Sequence, residues 1–304
     1  MPDPPADLAT AIEAVPGWSV GAVSAFSELT GGITNRNFKV EIGEEAFVVR
    51  LVDSDTALLG IDRAAEEEAG RAAAAAGVGP EVVAAAPGAL VTRFVDGTPI
   101  PQEDLGREEI LASVMRSVRL FHACPPIGST FPVFRIVERY RDLAASRGVA
   151  IPRAFEDAHA LARRVESAFA RTSMPLATCH NDFLNANFLR DGDHTWIVDY
   201  EYAGMGDPFF DLGNLSINNG LGPDAQELLL RLYFGDVDDG HRARLGLMRI
   251  MSDFREAMWG VAQQALSTLE FDYVDYADRH FARLLETAQD DRFEGWLRLA
   301  GSPP

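Results

Sequence analysis

Basic residues are scarce in this 304-residue chain: 27 Lys and Arg stand against 46 Asp and Glu, for a formal net charge of −19. A surface of that sign repels polyphosphate backbones and anionic lipid headgroups, which argues against nucleic acid as a partner and fits a cationic small molecule better. The same acidic excess also serves simply as a well-solvated surface. Cysteine is rare too. Cys124 and Cys179 lack CxxC or finger spacing, so neither a disulfide framework nor a structural zinc site is expected, and a reducing cytoplasm is the simplest setting. Long apolar runs are missing: Met1-Pro2-Asp3-Pro4-Pro5 has no basic or apolar signal region, and the alanine-rich stretch from Ala72 is broken by Gly77, Pro80 and Glu81. Neither export nor membrane insertion is expected. Internal repeats and low-complexity linkers are absent as well, so lobes that share one cleft are expected rather than swinging modules.

What is present is enough apolar material, 47% of residues, for one large globular unit or two lobes. Phe26 to Leu51 reads as an antiparallel meander, with turn chemistry at Leu29-Thr30-Gly31-Gly32-Ile33-Thr34-Asn35 and at Gly43-Glu44-Glu45. A helix follows, capped by Asp62, with Glu66, Glu67 and Glu68 in its early turns and a stop at Gly77. Ala89 to Val95 is another strand, closed by Asp96-Gly97-Thr98-Pro99. Helical patterns then dominate, over Glu108 to His122, Phe155 to Arg171, Asp224 to Phe234 and about Arg242 to Thr268. The expectation is an α+β protein of two lobes, a β-rich one with a single main helix over 1–95 and a larger, mostly α-helical one over 96–304.

The chemistry concentrates in Cys179-His180-Asn181-Asp182-Phe183-Leu184-Asn185-Ala186-Asn187, followed by a hairpin turning at Asp191-Gly192 that delivers Asp199. The order H-x-D-x-x-x-x-N…D matches the catalytic loop and metal-binding aspartate of kinases. Phosphoryl transfer needs a carboxylate to orient the hydroxyl and accept its proton, here Asp182, and hard oxygen ligands for Mg²⁺, here Asn187 and Asp199. Turn capping by Asp182, Asn185 and Asn187 is the bland alternative. His180 reads as a loop-orienting hydrogen-bonding residue, and Cys179 has no matching base for thiol chemistry.

His180 to Leu189, Val198-Asp199-Tyr200-Glu201-Tyr202-Ala203-Gly204 and Phe210-Asp211-Leu212-Gly213-Asn214 together resemble the choline/ethanolamine kinase family, within the aminoglycoside phosphotransferase-like, protein-kinase-like superfamily. Gly31 to Phe38, Trp259-Gly260 and Ser267 to Ala277 extend the resemblance over about residues 26 to 285. It implies a bilobal protein-kinase-like fold and transfer of the γ-phosphoryl group of Mg²⁺–ATP to a small amine-containing alcohol. It also implies that Gly31, Gly32, Thr34 and Asn35 approach the nucleotide phosphates, that Arg50 stands where protein kinases use lysine, and that the strand end with Thr92 and Phe94 faces adenine. Periodicity picks Glu66 as the partner of Arg50, since it shares a face with Ala69, Gly70 and Ala73; a solvated glutamate cluster is the alternative.

On the acceptor side the resemblance puts Tyr202, Trp259, Phe271 and Tyr276 around the amine, where aromatic faces and a carboxylate hold an ammonium. Glu256 and Trp259 are three apart on one helix and share its face. Packing of these aromatics in an interhelical core is the competing reading. Two positions depart from choline kinases: Glu256 replaces a common tryptophan, and Asn218 a glutamate. That exchange favours an amine with N–H groups over a quaternary one. Other acceptors (an aminoglycoside, homoserine, a sugar, thiamine) would share the catalytic loop, and a pseudokinase scaffold or a metal-dependent hydrolase are further rivals. A homodimer is compatible with the sequence but not derivable from it.

Overall fold

The computed structural model describes residues 3–29, 36–51, 54–86, 88–172 and 174–301. The first lobe runs α1 (Ala6–Glu13), β1 (Val23–Leu29), β2 (Arg36–Ile42), β3 (Glu45–Leu51), α2 (Arg63–Ala75), β4 (Val82–Ala86) and β5 (Ala89–Arg93). Its strands form one antiparallel sheet in the order β1-β2-β3-β5-β4, with Phe38 opposite Val49 and Val49 opposite Val91. Alternation along β2 and β3 buries Phe38, Val40, Phe47 and Val49 on one face, where α1 covers them with Leu8 and Ile12. Asp62 caps α2 through its carboxylate, which accepts the N–H groups of Ala64 at 3.0 Å and Ala65 at 3.2 Å, and Gly77, at φ 73°, ends the helix. β4 was not expected: its Val-Val-Ala-Ala-Ala sequence follows Pro80 and carries little strand signal, which is sufficient for an edge position.

The second lobe begins with β6 (Thr98–Pro99) and continues through α3 (Glu108–His122), α4 (Val133–Ser146), α5 (Ala154–Phe169), β7 (Ala177–Cys179), β8 (Phe188–Asp191), β9 (His194–Ile197), β10 (Gly204–Gly206), α6 (Pro208–Asn218), α7 (Pro223–Phe234), α8 (Asp239–Leu266), α9 (Tyr273–Thr287) and α10 (Phe293–Leu299). The hairpin β8–β9 turns at Gly192, φ 59°. α8 is the central axle, packed on α4, α6, α9 and α10. α6 lies so close to it that a Cβ on Gly213 would stand 2.7 Å from the Met248 carbonyl carbon, a separation that only glycine permits.

The buried apolar residues fall into two clusters. The smaller joins α1 to the sheet; the larger fills the helical lobe and takes in Leu59, Ile61, Ala69, Ala73 and Val78. α2 therefore sits within the first lobe in sequence but rests its inner face on the core of the second. No helix among the described residues is long and apolar enough to cross a membrane.

Candidate active site

The loop after β7 is held from below by α6. Asp211, wholly buried, accepts the backbone N–H groups of His180 at 2.7 Å and Asn181 at 2.6 Å, and its Oδ2 also lies 2.8 Å from His122 Nε2. Asn214 Oδ1 accepts the Phe183 N–H at 2.5 Å, and Asn219 donates to the Phe183 carbonyl at 3.0 Å. Asn181, at φ 66°, makes the sharp turn that presents Asp182, and asparagine tolerates that left-handed conformation better than most residues. His180 donates from Nε2 to the Val198 carbonyl at 3.0 Å, tying the loop to the strand end before Asp199. That bond assigns the proton to Nε2, and burial lowers the ring's pKa, so His180 is neutral and structural. Burial pushes the Cys179 thiol well up, which removes it from nucleophilic chemistry.

Asp182 is 14% exposed, and Arg255 Nη1 lies 3.3 Å from its Oδ1. Burial raises its pKa, Arg255 opposes that, and Glu256 and Asp199 add to it, so the carboxyl is pushed up to about 7. A carboxyl poised there suits proton transfer at neutral pH.

Above the loop, a cavity of about 340 Å³ opens between the lobes. Val48 and Val82 from the sheet and Leu189 and Val198 from the β8–β9 hairpin give it two apolar walls, and Arg50, Glu66, Asp182, Asn187 and Asp199 line it as well. Arg50 Nη1 lies 2.7 Å from both Glu66 Oε1 and Asp199 Oδ1. Burial disfavours the Arg50 charge, but Asp199, Glu66 and Glu201 outweigh it and push its pKa up. Glu66, 2% exposed, also meets Arg63 at 2.6 Å, whereas Glu67 pairs with Arg71 on the outside and Glu68 accepts the Gly128 N–H. Thr92 and Phe94 line the cavity, but the Phe94 N–H is bonded to the Ala46 carbonyl at 2.9 Å and Thr92 lies within β5. Of the backbone groups at the strand end from Thr92 to Val95, the Phe94 N–H is thus already used inside the sheet. Val95, which also lines the cavity, has an N–H with no acceptor among the described residues. Gly31, Gly32, Thr34 and Asn35 lie outside the described residues.

The donor set fits a hard divalent cation. Asn187 Nδ2 donates to the Asp182 carbonyl at 2.8 Å, and its Oδ1 receives no donor among the described residues. Asp199, at φ 70°, is aimed into the same cavity. An amide oxygen and a carboxylate facing one polar corner is the oxygen-only chemistry that Mg²⁺ takes.

Behind Asp182, α8 and α9 bring together the remaining predicted residues. The Trp259 indole N–H donates to the Tyr202 hydroxyl at 2.9 Å, and its ring meets those of Tyr276 at 5.6 Å and Tyr273 at 5.9 Å. Phe271 stands at the rim, 38% exposed, edge-on to Tyr276 at 5.8 Å. Glu256 does share a face with Trp259, but its carboxylate is already engaged by protein neighbours. It is 2% exposed, with Oε1 taking Arg255 Nη1 at 2.7 Å and Asn218 Nδ2 at 3.3 Å, and Oε2 taking the Tyr276 hydroxyl at 2.8 Å. The first face of Tyr202 is covered too, by the Arg255 guanidinium 4.5 Å from its ring centroid. Both differ from the open carboxylate and open aromatic wall expected from sequence, and Arg255, a residue the sequence reading passed over, contributes to each by pointing inward. Its sequence context, Ser252-Asp253-Phe254-Arg255-Glu256, looks like a solvated helix face and gave no signal that it is buried. Asp211 and Asn214 were noticed only as motif letters, although their three-residue spacing on α6 is what grips the loop.

Residues 25–247 match the model of the phosphotransferase enzyme family. The crystal structure of a choline/ethanolamine kinase family protein from Mesorhizobium loti superposes with a TM-score of 0.83 at 32% identity, covering 97% of this chain and 98% of that one. Protein LicA of Haemophilus influenzae is 25% identical over 260 residues, 81% of this chain and 75% of the relative. A probable ethanolamine kinase of Arabidopsis thaliana is 23% identical over 286 residues, 82% and 75% of the two chains. A β-rich lobe over a helical one, closing on a loop-and-hairpin site, is the protein-kinase-like fold, and with these matches the chain belongs to the phosphotransferase enzyme family, in its choline/ethanolamine kinase group.

Proposed function

We propose that this phosphotransferase moves the γ-phosphoryl group of Mg²⁺–ATP to the hydroxyl of a small amino alcohol of the choline or ethanolamine type. The observation that carries the reading is the position of Asp182. It sits where the inter-lobe cavity meets a cluster of aromatic rings around a buried carboxylate, so phosphate chemistry and ammonium recognition share one reacting group.

In this reading residues 1–95 bind nucleotide and residues 96–304 supply catalysis and the acceptor pocket. Adenine lies between the Val48–Val82 and Leu189–Val198 walls, Arg50 engages the α- and β-phosphates with Glu66 orienting it, and Gly31, Gly32, Thr34 and Asn35 serve the nucleotide phosphates. Asn187 and Asp199 would hold Mg²⁺, which supplies charge neutralisation on the transferring phosphates. Asp182 accepts the acceptor hydroxyl's proton as the oxygen attacks the γ-phosphorus, the bond to the β,γ-bridging oxygen breaks and ADP leaves. Tyr202, Trp259, Phe271 and Tyr276 enclose the amine, with Asn218 and Glu256 behind them. The relatives named as ethanolamine kinases and as a choline/ethanolamine kinase family protein support the acceptor class. A cytoplasmic setting suits an enzyme that draws on ATP.

The test is a Mg²⁺–ATP turnover screen against ethanolamine, choline, their N-methylated intermediates, thiamine, homoserine and aminoglycosides. Efficient phosphorylation of an amino alcohol is the expected result; exclusive use of an aminoglycoside or a sugar would overturn the acceptor assignment.

A further inference from the structure

The side-chain cluster behind Asp182 has the parts of an ammonium site, a carboxylate (Glu256) among aromatic rings (Tyr202, Trp259, Tyr276), yet it already contains a cation. Arg255 is 1% exposed. Its guanidinium carbon stands 4.5 Å from the Tyr202 ring centroid, Nη1 reaches Glu256 at 2.7 Å and Asp182 at 3.3 Å, and Nη2 donates to the Asn181 carbonyl at 3.0 Å. It cannot swing away without leaving Glu256 buried and uncompensated.

A quaternary ammonium has no N–H, so aromatic faces and unscreened negative charge are its only means of attachment. Arg255 occupies the first at Tyr202 and screens the second at Glu256. An ammonium with N–H groups retains another contact, because Glu256 Oε2 accepts only the Tyr276 hydroxyl among the described residues and keeps acceptor capacity for a charge-assisted bond. We propose that Arg255 is a specificity-determining residue, which selects N–H-bearing amino alcohols against trimethylammonium alcohols by holding an internal cation where a quaternary headgroup would otherwise sit. The inference rests on the amino-alcohol reading given above, and the experiment separates the two.

Wild type, Arg255→Met and the charge-balanced double variant Arg255→Met/Glu256→Gln are compared by kcat/KM for choline and for ethanolamine, and by calorimetric binding of tetramethylammonium, an unreactive quaternary probe. Circular dichroism and binding of a fluorescent ATP analogue establish folding. Wild type is expected to prefer ethanolamine and to bind tetramethylammonium weakly. Either variant is expected to raise the choline-to-ethanolamine ratio by about 2- to 30-fold, the weight of one cation–π contact, and to bind the probe correspondingly more tightly. A folded variant that turns over both alcohols with an unchanged ratio overturns the role of Arg255 and leaves the amino-alcohol reading intact. Absence of turnover with every amine, with the nucleotide analogue still bound, overturns the amino-alcohol reading instead; in that case tetramethylammonium affinity still decides about Arg255, and no gain in the variants refutes it. Should neither variant fold, the wild-type enzyme decides: choline used as well as ethanolamine would refute the proposal.

Discussion

Asp182→Asn should cost this enzyme its turnover and strengthen its fold. The carboxyl's ordinary pKa of 3.8 is pushed up to about 7 in the folded chain, first by burial, so between those values the folded state holds a proton that the unfolded state has released. Folding stability therefore falls as pH rises through this window, and the whole penalty is present above pH 7. Converted at about 1.4 kcal/mol per pKa unit, that shift gives an upper value of roughly 4 kcal/mol; partial exposure and the Arg255 contact reduce it to about 2. Asparagine keeps an oxygen to accept from Arg255 Nη1, and Arg255 keeps Glu256 at 2.7 Å, so no buried cation is stranded. At pH 8, without nucleotide or added metal, the variant should melt several degrees higher than wild type, and the gap should close as pH approaches 4. Its kcat should drop by about 10² to 10⁴, the usual weight of a positioned base, while a fluorescent ATP analogue still binds. Melting curves across pH 4 to 9 decide the matter. Equal or lower stability of Asp182→Asn at pH 8 would mean that the Arg255 ion pair outweighs desolvation.

Three other perturbations test separate parts of the site. Asp199→Asn and Asn187→Ala each remove or neutralise an oxygen ligand, and should raise the Mg²⁺ concentration for half-maximal rate at least several-fold at saturating ATP; unchanged half-saturation in both would put the metal elsewhere. Trp259→Ala should raise KM for the amine about tenfold and leave that for ATP near wild type, because the indole touches Tyr202 and Tyr276 but does not line the inter-lobe cavity; equal shifts would make it a core residue only. Gly213→Ala, whose new methyl would meet the α8 backbone at 2.7 Å, should cost roughly 1 to 3 kcal/mol in urea unfolding and lower kcat by displacing the helix that grips the catalytic loop.

How much of this was legible in the sequence depended on where each signal lay. Strands β2 and β3 alternate over one buried face, and α3 shows its amphipathic stripe from Glu108 to His122, so both could be read directly. α6 could not, because ten of its eleven residues, Pro208 to Ile217, are buried, with Asp211, Asn214 and Ser216 among them, so no polar face marks a period. α4 did carry a stripe, Val133, Ile136, Val137, Tyr140 and Ala144, but short polar interruptions concealed it. The nearness of Asp182, Asn187 and Asp199 followed from loop-and-hairpin chemistry within twenty residues. The closure of Glu256 did not, since it depends on Arg255, Asn218 and Tyr276 arriving from three helices.

The division of the core has a mechanical consequence. β3, with Arg50, belongs to the small core under α1, whereas α2 rests Ala69 and Ala73 on the large one. Arg50 is therefore carried by the upper body and Glu66 is bolted to the lower, and their contact works as a clutch between two separately built parts. Rocking of the sheet would change the Arg50–Glu66 and Arg50–Asp199 distances together. A small molecule wedged between Arg50 and Glu66 would disengage the enzyme while leaving the apolar walls of the cavity and the aromatic cluster behind Asp182 whole.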